Sequence, residues 1–219
     1  TSGGQMTVTS APDNRSVALD WANVDNRNFA AKLVNRVYST GAASGVSAQA
    51  LTITNNTGTP LTINLYSYTD LDVAGASNDS ASQAIGWPTG NHMAQDITGV
   101  QCWVMASGFA NFEVTAFATA RGNVLAGVGG APYVPANTGL PFGPGDYTGV
   151  HHWVVTVAPG GSSTQSSLIA ITQIPASQRI ASANTYCVGK PGTNGLATWT
   201  RNVPFVGSTV NLQIENGFS

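Results

Sequence analysis

Residues 51–65 read Leu-Thr-Ile-Thr-Asn-Asn-Thr-Gly-Thr-Pro-Leu-Thr-Ile-Asn-Leu. Apolar side chains occupy every second position on both sides of the central polar run, which is typical of strands that turn one face to a core and the other to water. Gly and Pro within the polar run favour a turn. We therefore predict a β-hairpin with one solvent face, its strands running from Ala50 to Thr54 and from Leu61 to Tyr68.

Further strand-like runs recur along the chain, each bounded by Gly, Pro or Asn. They are Met6 to Thr9, Val100 to Ala106, Phe112 to Ala118, His151 to Ala158, Leu168 to Gln173, Leu196 to Thr200 and Thr209 to Ile214. This density predicts an all-β fold, a two-sheet β-sandwich of jelly-roll-like type. We expect one domain over residues 1–219, with residues 1–10 as a candidate N-terminal extension strand.

At most one short helix is expected. Its candidate residues fall at helical spacing and precede a possible stop at Gly41. These residues are Phe29, Leu33, Val34, Val37 and Tyr38. Two long stretches rich in Gly and Pro, 74–91 and 121–149, are predicted to be packed surface loops.

The composition limits the classes of partner. Charged residues make up 8% of the chain and apolar residues 42%, whereas ordinary globular proteins carry roughly 25% charged residues. The net charge of −2 and the scattered basic residues exclude a nucleic-acid surface. No apolar run approaches the roughly 20 residues that span a bilayer. Such a weakly charged surface suits a secreted, extracellular or cell-surface protein, and because Thr1 to Gln5 lacks signal-peptide features we expect the processed form.

Two cysteines, Cys102 and Cys187, lie in apolar contexts. In an exported protein such a pair predicts a disulfide, which would stabilise the fold by roughly 4 to 5 kcal/mol. The alternative is a pair of buried, reduced cysteines.

The segment after the strand at Leu61 to Tyr68 contains several oxygen ligands, Asp70, Asp72, Asn78 and Asp79. Oxygen ligands in one Gly-containing loop are the donors that Ca²⁺ prefers, so a calcium ion is the candidate cofactor. The spacing does not match an EF-hand. The alternative is a strand end where Asp and Asn side chains bond their own backbone.

The histidines His92, His151 and His152 suggest a zinc site or a general base, with Asp146 near enough in sequence to orient His152. Consecutive strand residues point to opposite faces, so His151 and His152 cannot share a metal without distortion. A structural role, with one histidine facing in and one out, is the alternative.

Catalytic patterns are weak. No Gly-x-Ser-x-Gly elbow is present, and the acidic residue inside a clear strand, Glu113, is expected to point outward between Phe112 and Val114. We therefore expect that the protein is not an enzyme.

Four aromatic residues lie in or beside the predicted loops and could stack on sugars. They are Trp87, Tyr133, Tyr147 and Trp199. The alternative is that they anchor large loops to the core.

The run from Asn137 to Trp153, Asn-Thr-Gly-Leu-Pro-Phe-Gly-Pro-Gly-Asp-Tyr-Thr-Gly-Val-His-His-Trp, resembles secreted bacterial proteins of the PEP-CTERM (exosortase-sorted) type, as do residues 157–162 and the run Leu61 to Asp72. The resemblance implies an exported, surface or matrix-associated β-protein of a Gram-negative bacterium, without catalytic residues to transfer. The C-terminal residues 211–219 carry neither the Pro-Glu-Pro signal nor the apolar helix and basic tail of that type. We expect that the sorting segment was removed or never existed.

These observations favour a structural protein that self-assembles into a homo-oligomer, filament or matrix. Strand exchange is the expected mechanism, because Thr1 to Ser10 or Thr209 to Phe218 could pair with a neighbour's sheet. The first alternative is a carbohydrate-binding, lectin-like module with an extracellular polysaccharide as partner. The second is a secreted hydrolase.

Overall fold

The structure is a computed structural model that describes residues 6–41, 44–75, 77–127 and 131–173, together with the strand segments 189–191, 196–200 and 211–215. The strands are β1 (Met6–Ser10), β2 (Ser16–Trp21), β3 (Phe29–Gly41), β4 (Ser44–Asn55), β5 (Leu61–Asp70), β6 (Asp79–Gln83), β7 (His92–Gln95), β8 (Val100–Ala106), β9 (Asn111–Ala116), β10 (Phe142–Gly145), β11 (Tyr147–Val157), β12 (Ser162–Gln173), β13 (Gly189–Pro191), β14 (Leu196–Thr200) and β15 (Asn211–Glu215).

Antiparallel pairing joins these strands into a nine-stranded sheet, ordered β1-β2-β3-β4-β12-β8-β7-β6-β10, and a three-stranded sheet, β5-β11-β9. A further three-stranded sheet contains β13, β14 and β15. The predicted all-β sandwich is confirmed. The prediction that residues 1–219 form one domain stays a prediction.

The apolar core lies between the nine-stranded sheet and the sheet β5-β11-β9. One cluster joins Ile53 and Ala106 of the large sheet to Trp153 and Val155 of the small sheet. A second cluster joins Val104 of β8 to partners in β9 and β11. Because side chains alternate along a strand, the next residue after Val104, Met105, packs on the opposite face of the large sheet. The large sheet is therefore apolar on both faces.

The predicted hairpin at residues 51–65 is wrong, although its two strands exist. β4 pairs with β3 and β12, whereas β5 pairs with β11. The connection at 56–60 therefore carries the chain from one sheet to the other. Leu51 and Ile53 face Leu61 and Ile63 across the core, so the alternation arises from sheet stacking rather than from pairing.

The predicted helix at residues 29–38 is also wrong, because this segment lies in strand β3, paired on both sides with β2 and β4. Phe29, Leu33 and Val37 are four residues apart, which fits a helix face, but an even spacing also keeps them on one face of a strand. Val34 lies on the other face and is buried, whereas Val37 is 47% exposed. A strand with apolar residues on both faces can therefore show the same spacing of apolar residues as one face of a helix.

The described residues contain one α-helix, α1 (Phe117–Ala126), which directly follows β9. The sequence pattern predicts a strand at the start of this segment and a loop for the rest. Ala120 is its fully buried residue, and the remaining helix carries no clear apolar stripe. Without that stripe, the sequence offers little sign of a helix.

Candidate functional site

A pocket of about 460 Å³ opens where three segments meet at one end of the sandwich. The segments are the β6–β7 connection, the β8–β9 connection and the region around Asn137. The lining residues are Pro88, Thr89, Ala106, Gly108, Phe109, Ala110, Phe112 and Asn137. This volume lies within the range of ligand-binding pockets, roughly 300 to 1,000 Å³.

The β6–β7 connection is held in place by two amide side chains. Asn91 is fully buried; its Oδ1 accepts a hydrogen bond from Ala106 N (2.6 Å), and its Nδ2 donates to Pro88 O (3.3 Å). Gln83 Oε1 accepts from Gly90 N (3.0 Å). Pro88 and Thr89 are therefore presented to the pocket by a loop whose polar backbone groups are paired, which limits its motion.

The β8–β9 connection supplies the aromatic floor. Trp153 Nε1 donates to Ser107 O (2.7 Å), and Ala110 N donates to His152 O (2.8 Å), which fixes the connection to β11. Phe109 is half-buried and Phe112 is buried. Their rings give the pocket an apolar surface.

The segment around Asn137 lies along the free edge of β9. Asn137 N donates to Phe112 O (2.9 Å), Phe112 N donates to Asn137 Oδ1 (3.0 Å), and Val114 N donates to Thr138 O (3.1 Å). Asn137 has φ of +58°, a conformation that Asn adopts more readily than most residues. Upstream, the Tyr133 hydroxyl donates to Glu113, whose Oε2 also accepts from Ala136 N (3.3 Å). These bonds place the Asn137 amide at the pocket.

A cluster of buried histidines lies behind the floor. His92 Nδ1 and His151 Nε2 both donate to Gly90 O, at 2.7 and 3.0 Å, and the Tyr147 hydroxyl donates to His92 Nε2. The two imidazole rings are 5.6 Å apart, and the Phe109 ring lies 4.7 Å from that of His151, both between centroids. His92, Tyr147 and His151 are fully buried.

Burial determines the protonation of this cluster. It lowers the pKa of His92 to about 4 and, together with the nearby His92, lowers that of His151 to about 3. Both rings are therefore neutral near pH 7. Gly149 makes room for them, because a Cβ there would lie 2.6 Å from both His92 Nε2 and the Tyr147 hydroxyl oxygen.

His152 lies on the opposite face of β11, as alternation predicted. Its ring stacks on Tyr66 with centroids 4.7 Å apart, and its Nε2 is 2.9 Å from Asn64 Oδ1. Within the described part of the chain, no group of three His, Cys, Asp or Glu side chains could hold a metal ion. The described residues therefore do not bring these three histidines together as metal ligands.

The candidate calcium residues have different surroundings in the structure. Asp79 is fully buried and its Oδ2 accepts from Val73 N (3.1 Å), whereas Asp70 Oδ1 accepts from the Thr148 hydroxyl (3.2 Å). Asp72 and Asn78 are exposed. Burial raises the pKa of Asp79 and that of Asp70, and the nearby Asp72 raises both further. The other oxygen of Asp79, Oδ1, is buried without a hydrogen-bond partner among the described residues, and the calcium site stays a prediction.

The four predicted stacking residues have different surroundings. Trp87 is half-buried and packs against the cluster that contains Met105, directly before Pro88 of the pocket. Tyr133 is half-buried and stacks on Tyr66 at 6.4 Å between centroids. Tyr147 cannot stack on a ligand, because it is fully buried between the sheets. Trp199 belongs to β14, but its side chain lies outside the described residues.

Cys102 is buried in the core and forms no disulfide within the described residues. Burial raises the pKa of its thiol to about 11. Cys187 lies outside the described residues, so the disulfide stays a prediction.

Sequence reasoning missed the residues that line the pocket, Phe109, Phe112, Thr89 and Asn137 among them. The available signals were the Ser-Gly turn before Phe109 and the Asn-Thr-Gly run at Asn137. Turn residues predict loops, but they do not predict which loops meet in space.

No protein-family model matches the sequence, and no curated protein is significantly similar to it. The fold is similar to part of the heparan sulfate lyase HepC from Pedobacter heparinus, with a TM-score of 0.50 and 10% identity. The match covers 98% of this chain and 28% of the lyase, so the chain spans about a quarter of that enzyme's length. This similarity concerns the fold alone.

Two other solved structures are similar at a lower level. A protein described as an aldose 1-epimerase from Escherichia coli K12 matches with a TM-score of 0.44 and 9% identity, over 78% of this chain and 69% of that chain. The Slr1438 protein from Synechocystis sp. PCC 6803 matches with a TM-score of 0.44 and 11% identity, over 77% of this chain and 66% of that chain.

Among the described residues, no helix is both long and apolar enough to cross a membrane.

Proposed function

We propose that the chain is a carbohydrate-binding module and that the 460 Å³ pocket is its sugar site. The observation that carries the proposal is the lining itself: two phenyl rings, one hydroxyl and one carboxamide, without a charged side chain. Sugar rings combine an apolar face with hydroxyls around their edge. The phenyl rings match the apolar face, and Thr89 and Asn137 match the hydroxyls.

The uncharged lining favours a neutral sugar over a sulfated or acidic one. An anionic group entering the pocket would lose hydration without meeting a lysine or arginine, which is unfavourable. A neutral hydroxyl loses less and regains a hydrogen bond at the rim. We therefore name neutral hexose-containing glycans as the ligand class.

Binding without catalysis is part of this proposal. Glycoside cleavage generally needs two carboxyl groups beside the bond, and the lining supplies none. The neighbouring histidines are buried behind Phe109 and bonded to Gly90 O, so they do not face the pocket opening as an accessible base would. Extracellular location, supported by the low charge and the PEP-CTERM resemblance, is the proposed setting.

A glycan array followed by calorimetry with the best neutral oligosaccharide tests the proposal. Phe109→Ala removes half of the aromatic floor, and we expect its affinity to fall about tenfold or more, the equivalent of roughly 1.4 kcal/mol. Phe117→Ala is the matched control, because Phe117 is also half-buried but packs against Tyr68 outside the pocket. Absence of any bound glycan, or equal losses in both variants, would contradict the proposal.

Assembly into filaments or a matrix, the role that the sequence first favoured, stays a prediction. The structural observation that bears on self-association is the free edge of β1.

A further inference from the structure

The edge strand β1 is open to solvent along its whole length. All five residues from Met6 to Ser10 are exposed, and within the described residues β1 pairs only with β2. Its second edge therefore presents backbone N–H and C=O groups that another strand could pair with. Met6 and Val8 are 47% and 55% exposed, so this edge strand presents apolar side chains to solvent as well as backbone.

β1 lacks the features that normally protect an edge. Its sequence, Met-Thr-Val-Thr-Ser, contains no charge, proline or glycine, and its register with β2 runs from Met6–Trp21 to Ser10–Val17 without a bulge. Natural edge strands usually carry lysine, proline or a bulge to prevent pairing with other chains. The opposite edge of the same sheet, β10, contains Pro144 and a register shift.

The edges of the smaller sheet are less available. Residues of β9 bond with Asn137 and Thr138 along its free side, and most of β5 is only partly exposed. Among the edge strands of these two sheets, β1 combines an uninterrupted register with exposure of every residue. This contrast distinguishes β1 as an interaction surface.

We propose that β1 pairs antiparallel with β1 of a second copy of this chain, about a twofold axis through Val8. An antiparallel pair of identical strands is self-complementary, since each residue's contact is repeated by symmetry. Full overlap of the five residues places Met6 opposite Ser10, Thr7 opposite Thr9, and Val8 opposite Val8 of the partner. These are favourable or neutral cross-strand pairs without like charges.

Charge supports a second copy as the occupant rather than a charged partner. β1 is uncharged, and Asp20 of the neighbouring strand β2 is paired with Lys32 of β3 (3.5 Å). Two copies can therefore approach edge to edge without repulsion from this region. Because a five-residue pairing is small, we expect a weak, concentration-dependent dimer.

Sedimentation velocity over a protein concentration range from about 10 μM to about 1 mM tests the proposal. We expect a monomer–dimer equilibrium in the wild-type chain and at least a tenfold higher dimer dissociation constant in Val8→Lys, because two lysines would lie opposite each other. Val154→Lys is the matched control, since Val154 is an exposed strand valine (54%, against 55% for Val8) on β11. Circular dichroism confirms that both variants fold.

A charge exchange makes the test specific for this register. Val8→Lys and Val8→Glu alone should each remain monomeric, whereas their mixture should form a heterodimer at least as readily as the wild type. A wild-type chain that stays monomeric at every concentration would overturn the proposal. So would a dimer that Val8→Lys leaves intact, or a mixture that shows no heterodimer.

Discussion

At the residue scale, the carbonyl oxygen of Gly90 accepts hydrogen bonds from two buried histidines, which fixes the tautomer of each. His92 uses its Nδ1 proton for this bond, so its Nε2 is the acceptor for the Tyr147 hydroxyl. This hydrogen-bond pattern therefore requires the neutral form of His92. Protonation would place a charge in the core.

This arrangement predicts acid sensitivity. The unfolded histidine binds a proton near its ordinary pKa of 6.5, whereas the folded pKa of His92 is about 4. The stabilising contribution of neutral His92 is thus fully present above pH 6.5 and is lost as the pH falls from 6.5 towards 4, by about 3 kcal/mol in total. Urea unfolding at pH 7, 6 and 5 should show a declining free energy of unfolding.

His92→Gln supplies the comparison, because it retains hydrogen-bonding groups but does not titrate. Its free energy of unfolding should fall less than that of the wild type over the same interval, even if it is less stable at pH 7. Asp70 and Asp79 have raised pKa values and act in the opposite direction in both proteins. Burial and the nearby His92 lower the pKa of His151, so the difference reports His92 together with its effect on His151. Equal pH dependence in the two proteins would show that His92 does not carry the effect.

Some residue positions follow from the sequence and others do not. That His151 and His152 lie on opposite faces of β11 requires only that the segment is a strand. The burial of Tyr147 depends on what lies opposite, namely the cluster with Cys102 and Val114. A sequence pattern of one strand contains no information about the sheet that packs on it.

At the element scale, the connection between β4 and β5 shows the same limit. Alternation at residues 51–65 predicts both strands and the face that each turns inward, but it fits a hairpin and an arch between stacked sheets equally well. The choice depends on long-range pairing, β5 with β11 and β4 with β12. Asn55 marks the arch, because its side chain is fully buried at the point where the chain changes sheets.

The hydrogen bonds of Asn55 predict that its side chain stabilises this arch. Its Nδ2 donates to Thr59 O (2.8 Å) and Val157 O (3.0 Å), and its Oδ1 accepts from Thr57 N (2.9 Å). Asn55→Ala should lower the free energy of unfolding by about 2 to 4 kcal/mol, because it removes three hydrogen bonds, one of them to the carbonyl of the buried Val157. The exposed neighbour Asn56 gives the control: Asn56→Ala should change the same quantity by less than about 0.5 kcal/mol in urea unfolding. Similar losses in both variants would contradict this role.

At the scale of the whole molecule, the low charge is the feature that the sequence and the candidate site share. Only 8% of the residues are charged, and the pocket lining contains none of them. The all-β class followed from strand density, but the pocket required three separate connections to meet, at the β6–β7 turn, the β8–β9 turn and Asn137. Composition thus predicts that the surface carries little charge, but it does not predict where on the fold the pocket forms.

The neutral pocket predicts that sugar binding is nearly independent of ionic strength. Salt screens interactions between charges, and a neutral glycan that stacks on Phe109 and bonds to Asn137 involves none. The dissociation constant of the glycan complex, measured by calorimetry, should change less than about twofold between about 0.05 M and 0.5 M NaCl.

Asn137→Asp gives an internal contrast, because it keeps the acceptor for Phe112 N but introduces a carboxylate at the rim. That variant should bind the neutral glycan more weakly and reject acidic glycans. A steep loss of wild-type affinity with salt would instead indicate an anionic ligand held by basic residues outside the pocket.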